Sequence, residues 1–147
     1  MFNPSRDQVR QFFFDTWSKF RSGRPLAGLE QTALEVILLH PEYHSTIEDS
    51  GRNAARDYAP EDGMMNPFLH LSLHLAIEEQ LSIDQPPGIA AEFNRISARH
   101  GERHRALHEV LDCLGETVWR AQRLGAPPDT QAYLECLKKL TRRSGAG

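Results

Sequence analysis

Three glycine–proline breaks, "SGRP" at 22–25, "DQPPG" at 84–88 and "GAPPD" at 125–129, cut a 147-residue chain into pieces that share one periodicity. Proline and glycine end helices because one removes a backbone donor and the other tolerates the left-handed turn that follows. Between the breaks, apolar residues return every three or four positions, and no stretch alternates apolar with polar as a half-buried strand does. The pattern predicts an all-α fold, a single-domain bundle of five or six helices joined mostly by short turns. A first helix is expected over 5–21, with Val9, Phe12, Phe13, Trp17 and Phe20 on one face. A second follows over 26–40, and Pro41 either kinks it or opens a short extra helix in "PEYHSTIED". The segment 50–65 reads as one long loop, of the kind that often binds or covers a ligand. Asn66 is a good N-cap and Pro67 a good first residue for the next helix. Further helices are expected over 88–99, 102–124 and 129–142, with a frayed tail at 144–147.

The helix beginning at Asn66 carries a second regularity. In "NPFLHLSLHLAIEEQLS" (66–82), His70, His74 and Glu78 follow one another at intervals of four. All seven histidines of the chain belong to such pairs: His40/His44, His70/His74, His100/His104 and His104/His108. A random scatter would give roughly a third of one pair. Carboxylates continue each ladder by the same step, with Glu48 after His44, Glu78 after His74, and Asp112 and Glu116 after His108.

Residues four apart stand one above the other on a helix, which lets two imidazoles reach one metal ion. At about 100° per residue, Ser72, Glu79 and Gln80 mark the wet side of the 66–82 helix. His70, His74 and Glu78 fall opposite, among Leu71, Leu75, Ile77 and Leu81, so this ladder is expected to point inward. On the 102–124 helix, Leu107, Leu111, Leu114 and Val118 form the apolar stripe, with His104 and His108 at its edge. If successive helices alternate in direction, His70, His104 and the end of the second helix lie at one end of the bundle. The expected metal ligands are therefore His70, His74, Glu78, His104, His108 and His44. An inward carboxylate such as Glu78 must ligate, pair with a cation or orient a histidine. His40, before Pro41, and His100, before Gly101, sit at helix breaks and are left out of the set. Asp112 and Glu48 are expected behind the ligands, and Glu116 toward solvent.

The remaining chemistry is narrowed by exclusion. A net charge of −3 gives no strongly basic face, so no nucleic-acid partner is expected. "KKLTRR" at 138–143 suits the negative end of a last helix. No apolar run is long enough to span a membrane, and "MFNPSRDQVR" has no signal core, so a cytoplasmic location is expected. Cys113 and Cys136 are accordingly read as reduced, packed thiols, with a disulfide or a thiolate ligand as the alternatives. No Ser/His/Asp triad, phosphate-binding glycine loop or reactive-cysteine context stands out.

"HPEYH" and "NPFLHLSLHLAIEEQLSIDQPPGI" resemble the motifs of a small proteobacterial family known only as a domain of unknown function, over nearly the whole chain. That resemblance implies a helical cytosolic protein and no particular activity. More loosely, His74-x-x-x-Glu78 and His104-x-x-x-His108 are similar to pieces of the pattern of hemerythrin-like metal-binding bundles. Here a short helix separates the two pieces, and no His-x-x-x-x-Asp follows on the last helix. DinB-like bundles share only the idea of three histidines meeting across helices.

Imidazole with some carboxylate suits a divalent transition metal such as Fe, Zn or Mn. A two-metal site bridged by Glu78 would suit an oxidoreductase reacting with oxygen or peroxide. A one-metal site with three histidines and an open position would suit hydrolysis or group transfer on a small-molecule substrate. The third class is a non-catalytic interaction or pH-sensing protein whose histidines are structural.

Overall fold

A computed structural model of the chain describes residues 6–54, 56 and 66–145. Among these residues the only regular structure is helical: α1 (Arg6–Arg21), α2 (Leu29–Leu38), a 3₁₀ turn (Pro41–Tyr43), α3 (His44–Glu48), α4 (Ser50–Asn53), α5 (Pro67–Ile83), α6 (Ile89–His100), α7 (Arg103–Leu124) and α8 (Thr130–Gly145). The all-α expectation holds, and the helix count rises because 41–53 breaks into a 3₁₀ turn and two short helices. The expected loop therefore begins later than residue 50. Asp49 caps α4, its carboxylate accepting the Arg52 backbone N–H at 3.1 Å. Residues 55 and 57–65 lie outside the described residues, and with them the idea that Met64 and Met65 cover the site. The tail read as frayed from 144 is helical to Gly145. No described helix is long and apolar enough to cross a membrane.

The chain forms two compact units, 1–75 and 76–147, and α5 runs from one into the other. In the first unit, Phe13, Phe14 and Trp17 of α1 pack with Ala33, Val36 and Ile37 of α2, Ile47 of α3, and Phe68, Leu71 and Leu75 of α5. Burying each large side chain here stabilises the fold by about 1.5–3 kcal/mol. Phe14 takes the inward place expected of Phe20, which is 41% exposed. The edge of the Phe14 ring meets Phe68, centroids 5.5 Å apart, and this fixes the roll of α1. After α1, Gly23 at φ 71 lets the Arg24 N–H return to the Lys19 carbonyl at 2.8 Å. Lys19 then pairs with Glu30 at 2.6 Å, tying α1 to α2.

A buried cation fastens the start of α5. Arg10 is 2% exposed, and its Nη1 donates to the carbonyls of Asn53, Ala54 and Arg56 at 3.0, 3.3 and 2.8 Å. Its guanidinium also lies 4.7 Å from the Phe68 ring centre. Three carbonyl acceptors and an aromatic face compensate the lost hydration.

The second unit packs α6, α7 and α8 on one another. Its core holds Ile89, Phe93 and Ile96 from α6, Leu107, Val110, Leu111 and Leu114 from α7, and Tyr133 and Leu137 from α8. The Tyr133 hydroxyl donates to Gln80 Oε1 at 2.8 Å, and burial raises the phenol's pKa above its ordinary value. Between α5 and α6, the Asp84 carboxylate accepts the N–H groups of Gly88 (3.3 Å) and Ala90 (3.0 Å), capping α6 from outside. The reduced-thiol expectation is overturned, because Cys113 of α7 and Cys136 of α8 form a disulfide with Cα atoms 5.9 Å apart. The sequence reading rested on the expected compartment and on both cysteines lying inside helical patterns. Helix packing brings the two Cα atoms into the range a disulfide spans.

Candidate metal centre

The centre of the first unit is assembled by two helix ends. In α2, Ala33, Val36, Ile37 and His40 recur at helical spacing, so His40 continues the apolar stripe. Pro41 disfavours helical backbone at the preceding residue, and His40 leaves the helix at φ −127, ψ 65. Its ring folds back over the last turn, with Nδ1 2.8 Å from the Val36 carbonyl. A carbonyl only accepts, so Nδ1 carries a proton, and in the tautomer this selects Nε2 is the nitrogen with the lone pair. In α5, the Asn66 side chain accepts the N–H groups of Phe68 (2.9 Å) and Leu69 (3.3 Å), the expected N-cap. The cap starts the helix in the register that turns His70 and His74 inward.

The three imidazoles form a nearly equilateral triangle. Ring centroids are 4.9 Å apart for His40–His70, 4.6 Å for His40–His74 and 4.8 Å for His70–His74. Exposures are 2%, 9% and 0% for His40, His70 and His74. His40 Nε2 lies 3.2 Å from His70 Nε2, and all three side chains offer ring nitrogens within 4.8 Å of one another. Two nitrogens held at the usual 2.0–2.1 Å from one tetrahedral ion stand roughly 3.4 Å apart. The His40–His70 separation already matches that value. Tyr43 lies against the cluster, its ring 9° from parallel with His40 at 5.6 Å and edge-on to His70 at 5.8 Å. Burial, and secondarily the Glu42 charge, raise its phenol pKa.

The other expected ligands are His44 in the first unit and Glu78, His104 and His108 in the second. His44 places Nε2 2.9 Å from the Ile37 carbonyl and lays its ring on Trp17, with centroids 4.5 Å apart. Glu48, expected behind a ligand, accepts from Trp17 Nε1 at 3.2 Å and meets Arg21 at 3.2 Å. In the second unit, Glu78 receives both Nη groups of Arg103, at 2.8 and 3.0 Å. Of the three roles open to an inward carboxylate, pairing with a cation is the one this geometry displays. His104 and His108, one turn apart on α7, bring their rings to 4.3 Å. His100 pairs with Glu109 at 2.9 Å, Asp112 is exposed, and Glu116 pairs with Arg120 at 2.7 Å. His40 is the residue that sequence reasoning set aside. Its place on the Ala33–Val36–Ile37 stripe was the available signal, and the helix break at Pro41 outweighed it.

Residues 5–139 match the family described as Domain of unknown function (DUF1841), and the chain belongs to that family. No curated protein and no solved structure matches the chain.

Proposed function

From this family membership, which carries no activity, we propose that the chain is a metal-binding helical protein built on His40, His70 and His74. The observation that supports the reading is the backbone-anchored His40. Its Nδ1–H is committed to the Val36 carbonyl, and its Nε2 faces His70 Nε2 at 3.2 Å beside a third buried ring. A histidine that donates one ring N–H to a backbone carbonyl is oriented and made more basic at the other nitrogen, as metal-ligating histidines usually are.

An all-imidazole set suits divalent Zn, Fe or Mn. Glu78 is engaged by Arg103 within the second unit, so the proposal uses the first unit's imidazoles alone among the described residues and takes a single ion. Such an ion would supply Lewis acidity to a small-molecule substrate at a position the histidines leave open. The chain's own contribution is a dry, preoriented set of lone pairs, with the Tyr43 ring holding the planes of His40 and His70. The two-metal reading, an oxidoreductase using oxygen or peroxide, retains one supporting observation: the His104–His108 pair of the second unit, its rings tilted by 57° with centroids 4.3 Å apart, as a second set of nitrogens.

The rival is a metal-free cluster in which His70 donates N–H to His40. Elemental analysis of untagged protein from rich medium separates them. About one equivalent of a transition metal is expected, or uptake of one after incubation with Zn²⁺, Fe²⁺ or Mn²⁺. Protein that neither carries nor takes up metal would leave the structural or pH-sensing cluster standing and end the metal reading. Two equivalents, with the second lost in His104→Ala, would favour the two-metal centre.

A further inference from the structure

The second unit has a sulfur-lined groove that plays no part in the metal proposal. The groove, about 480 Å³, is bordered by Cys113 and Cys136, by Arg120 and Lys139, and by the carboxylates of Glu116, Asp129 and Glu135. A second opening of about 510 Å³ is lined by Cys136, Lys139, Leu140 and Arg142. Two cavities thus meet at the Cys136 side of the disulfide. The two sulfurs differ in access, because Cys113 is 3% exposed while Cys136 is only half-buried. Lys139 borders both openings, but only the second, with Lys139 and Arg142 and no carboxylate in its lining, offers an anion a cationic approach to Cys136. Glu116 pairs with Arg120, and Glu135 lies 3.6 Å from Arg142.

We propose that Cys113–Cys136 is a thiol-exchange site that accepts a small, carboxylate-bearing thiol, with attack directed to Cys136. The incoming thiolate forms a bond to Cys136 Sγ. The Cys113–Cys136 bond breaks, and its electron pair leaves on Cys113 Sγ, which takes a proton from water. A second thiolate then attacks the small-molecule sulfur of the mixed disulfide, releasing the small disulfide and the Cys136 thiolate. Two thiols have supplied two electrons, and the protein has gained two thiols. Exchange rates depend on which sulfur can be reached, and here access selects one. Lys139 steers the reagent by charge, an attraction that salt weakens.

The test uses native protein with reduced glutathione as the anionic probe and cysteamine as the cationic one, under anaerobic conditions. Alkylation of the untreated, denatured protein should find no free thiol. Glutathione should give a transient adduct that peptide mass spectrometry maps to Cys136, followed by the dithiol form. Lys139→Glu should slow glutathione several-fold and leave cysteamine equal or faster. In Cys113→Ser the remaining Cys136 should react with oxidised glutathione in the native state, whereas Cys113 in Cys136→Ser should not. An adduct on Cys113, reduction only at the rate of global unfolding, or two free thiols in the untreated protein would overturn the proposal. Equal rates for the two probes, insensitive to Lys139→Glu, would overturn its charge selection.

Discussion

His40→Ala is the substitution that separates a metal site from a packed histidine cluster. His40 is 2% exposed, bonds the Val36 carbonyl at 2.8 Å and touches three rings. Losing that bond costs about 1 kcal/mol, and the space left by a buried ring adds roughly 2 kcal/mol more. Metal-free protein should therefore lose about 3 kcal/mol, which at this chain length lowers Tm by roughly 6–12 °C. The metal effect is read separately, as the rise in Tm when ion is added. At a free ion concentration of about 100 Kd, binding stabilises the native protein by about 2.7 kcal/mol, a rise of roughly 5–11 °C. If losing a ligand weakens binding about 100-fold, the same concentration gives the variant only RT ln 2, about 0.4 kcal/mol or roughly 1 °C. Differential scanning calorimetry of both proteins, with and without Zn²⁺, yields both quantities. A variant that is destabilised without metal yet keeps the full metal-induced rise would refute the ligand role of His40, because only its packing would then matter.

Glu78→Gln should leave metal content unchanged and cost under about 1 kcal/mol, since Arg103 at the other end of the ion pair is largely exposed; lost metal in elemental analysis would return Glu78 to the ligand set. Tyr133→Phe tests the buried phenol, whose raised pKa means that the folded chain holds this proton more tightly than the unfolded chain. Above about pH 10 the unfolded state loses it first, so stability falls as pH rises toward the folded-state value. Urea midpoints between pH 8 and 11 should show that fall in the wild type and a shallower one in the variant, with Tyr43 contributing the remainder; identical slopes would count against the assignment. Replacing both cysteines by serine removes a cross-link between positions 23 residues apart. The loop entropy predicts a loss of about 3 kcal/mol in urea unfolding, and an unchanged midpoint would show that the bridge does not constrain the unfolded chain.

Local chemistry determined a large share of this protein before any packing was considered. The glycine and proline breaks set the helix ends, as in the left-handed Gly23, Gly88, Gly101 and Gly125. Asn66 and Pro67 started α5 where a cap and a preset φ would start it. The interval of four put His70 and His74 on one face, because 3.6 residues make a turn whatever lies beside the helix. What periodicity could not supply was the identity of the neighbours. Glu78 continues the ladder faultlessly, yet Arg103 reaches both its oxygens from a helix 25 positions away in sequence. His44 shares its spacing with the proposed ligands, but the Ile37 carbonyl and the Trp17 face stand where its ring points. The thiols of Cys113 and Cys136 became a disulfide only because α7 and α8 pack closely enough to join them. His40 shows the division most clearly. Its spacing on α2 was legible, but its role depends on a chain that turns at Pro41 and folds the ring back onto the Val36 carbonyl. A repeating helix can show which side chains share a face. Which groups meet that face is set by long-range packing, where a hydrogen bond or an ion pair of a few ångströms decides what each side chain can do.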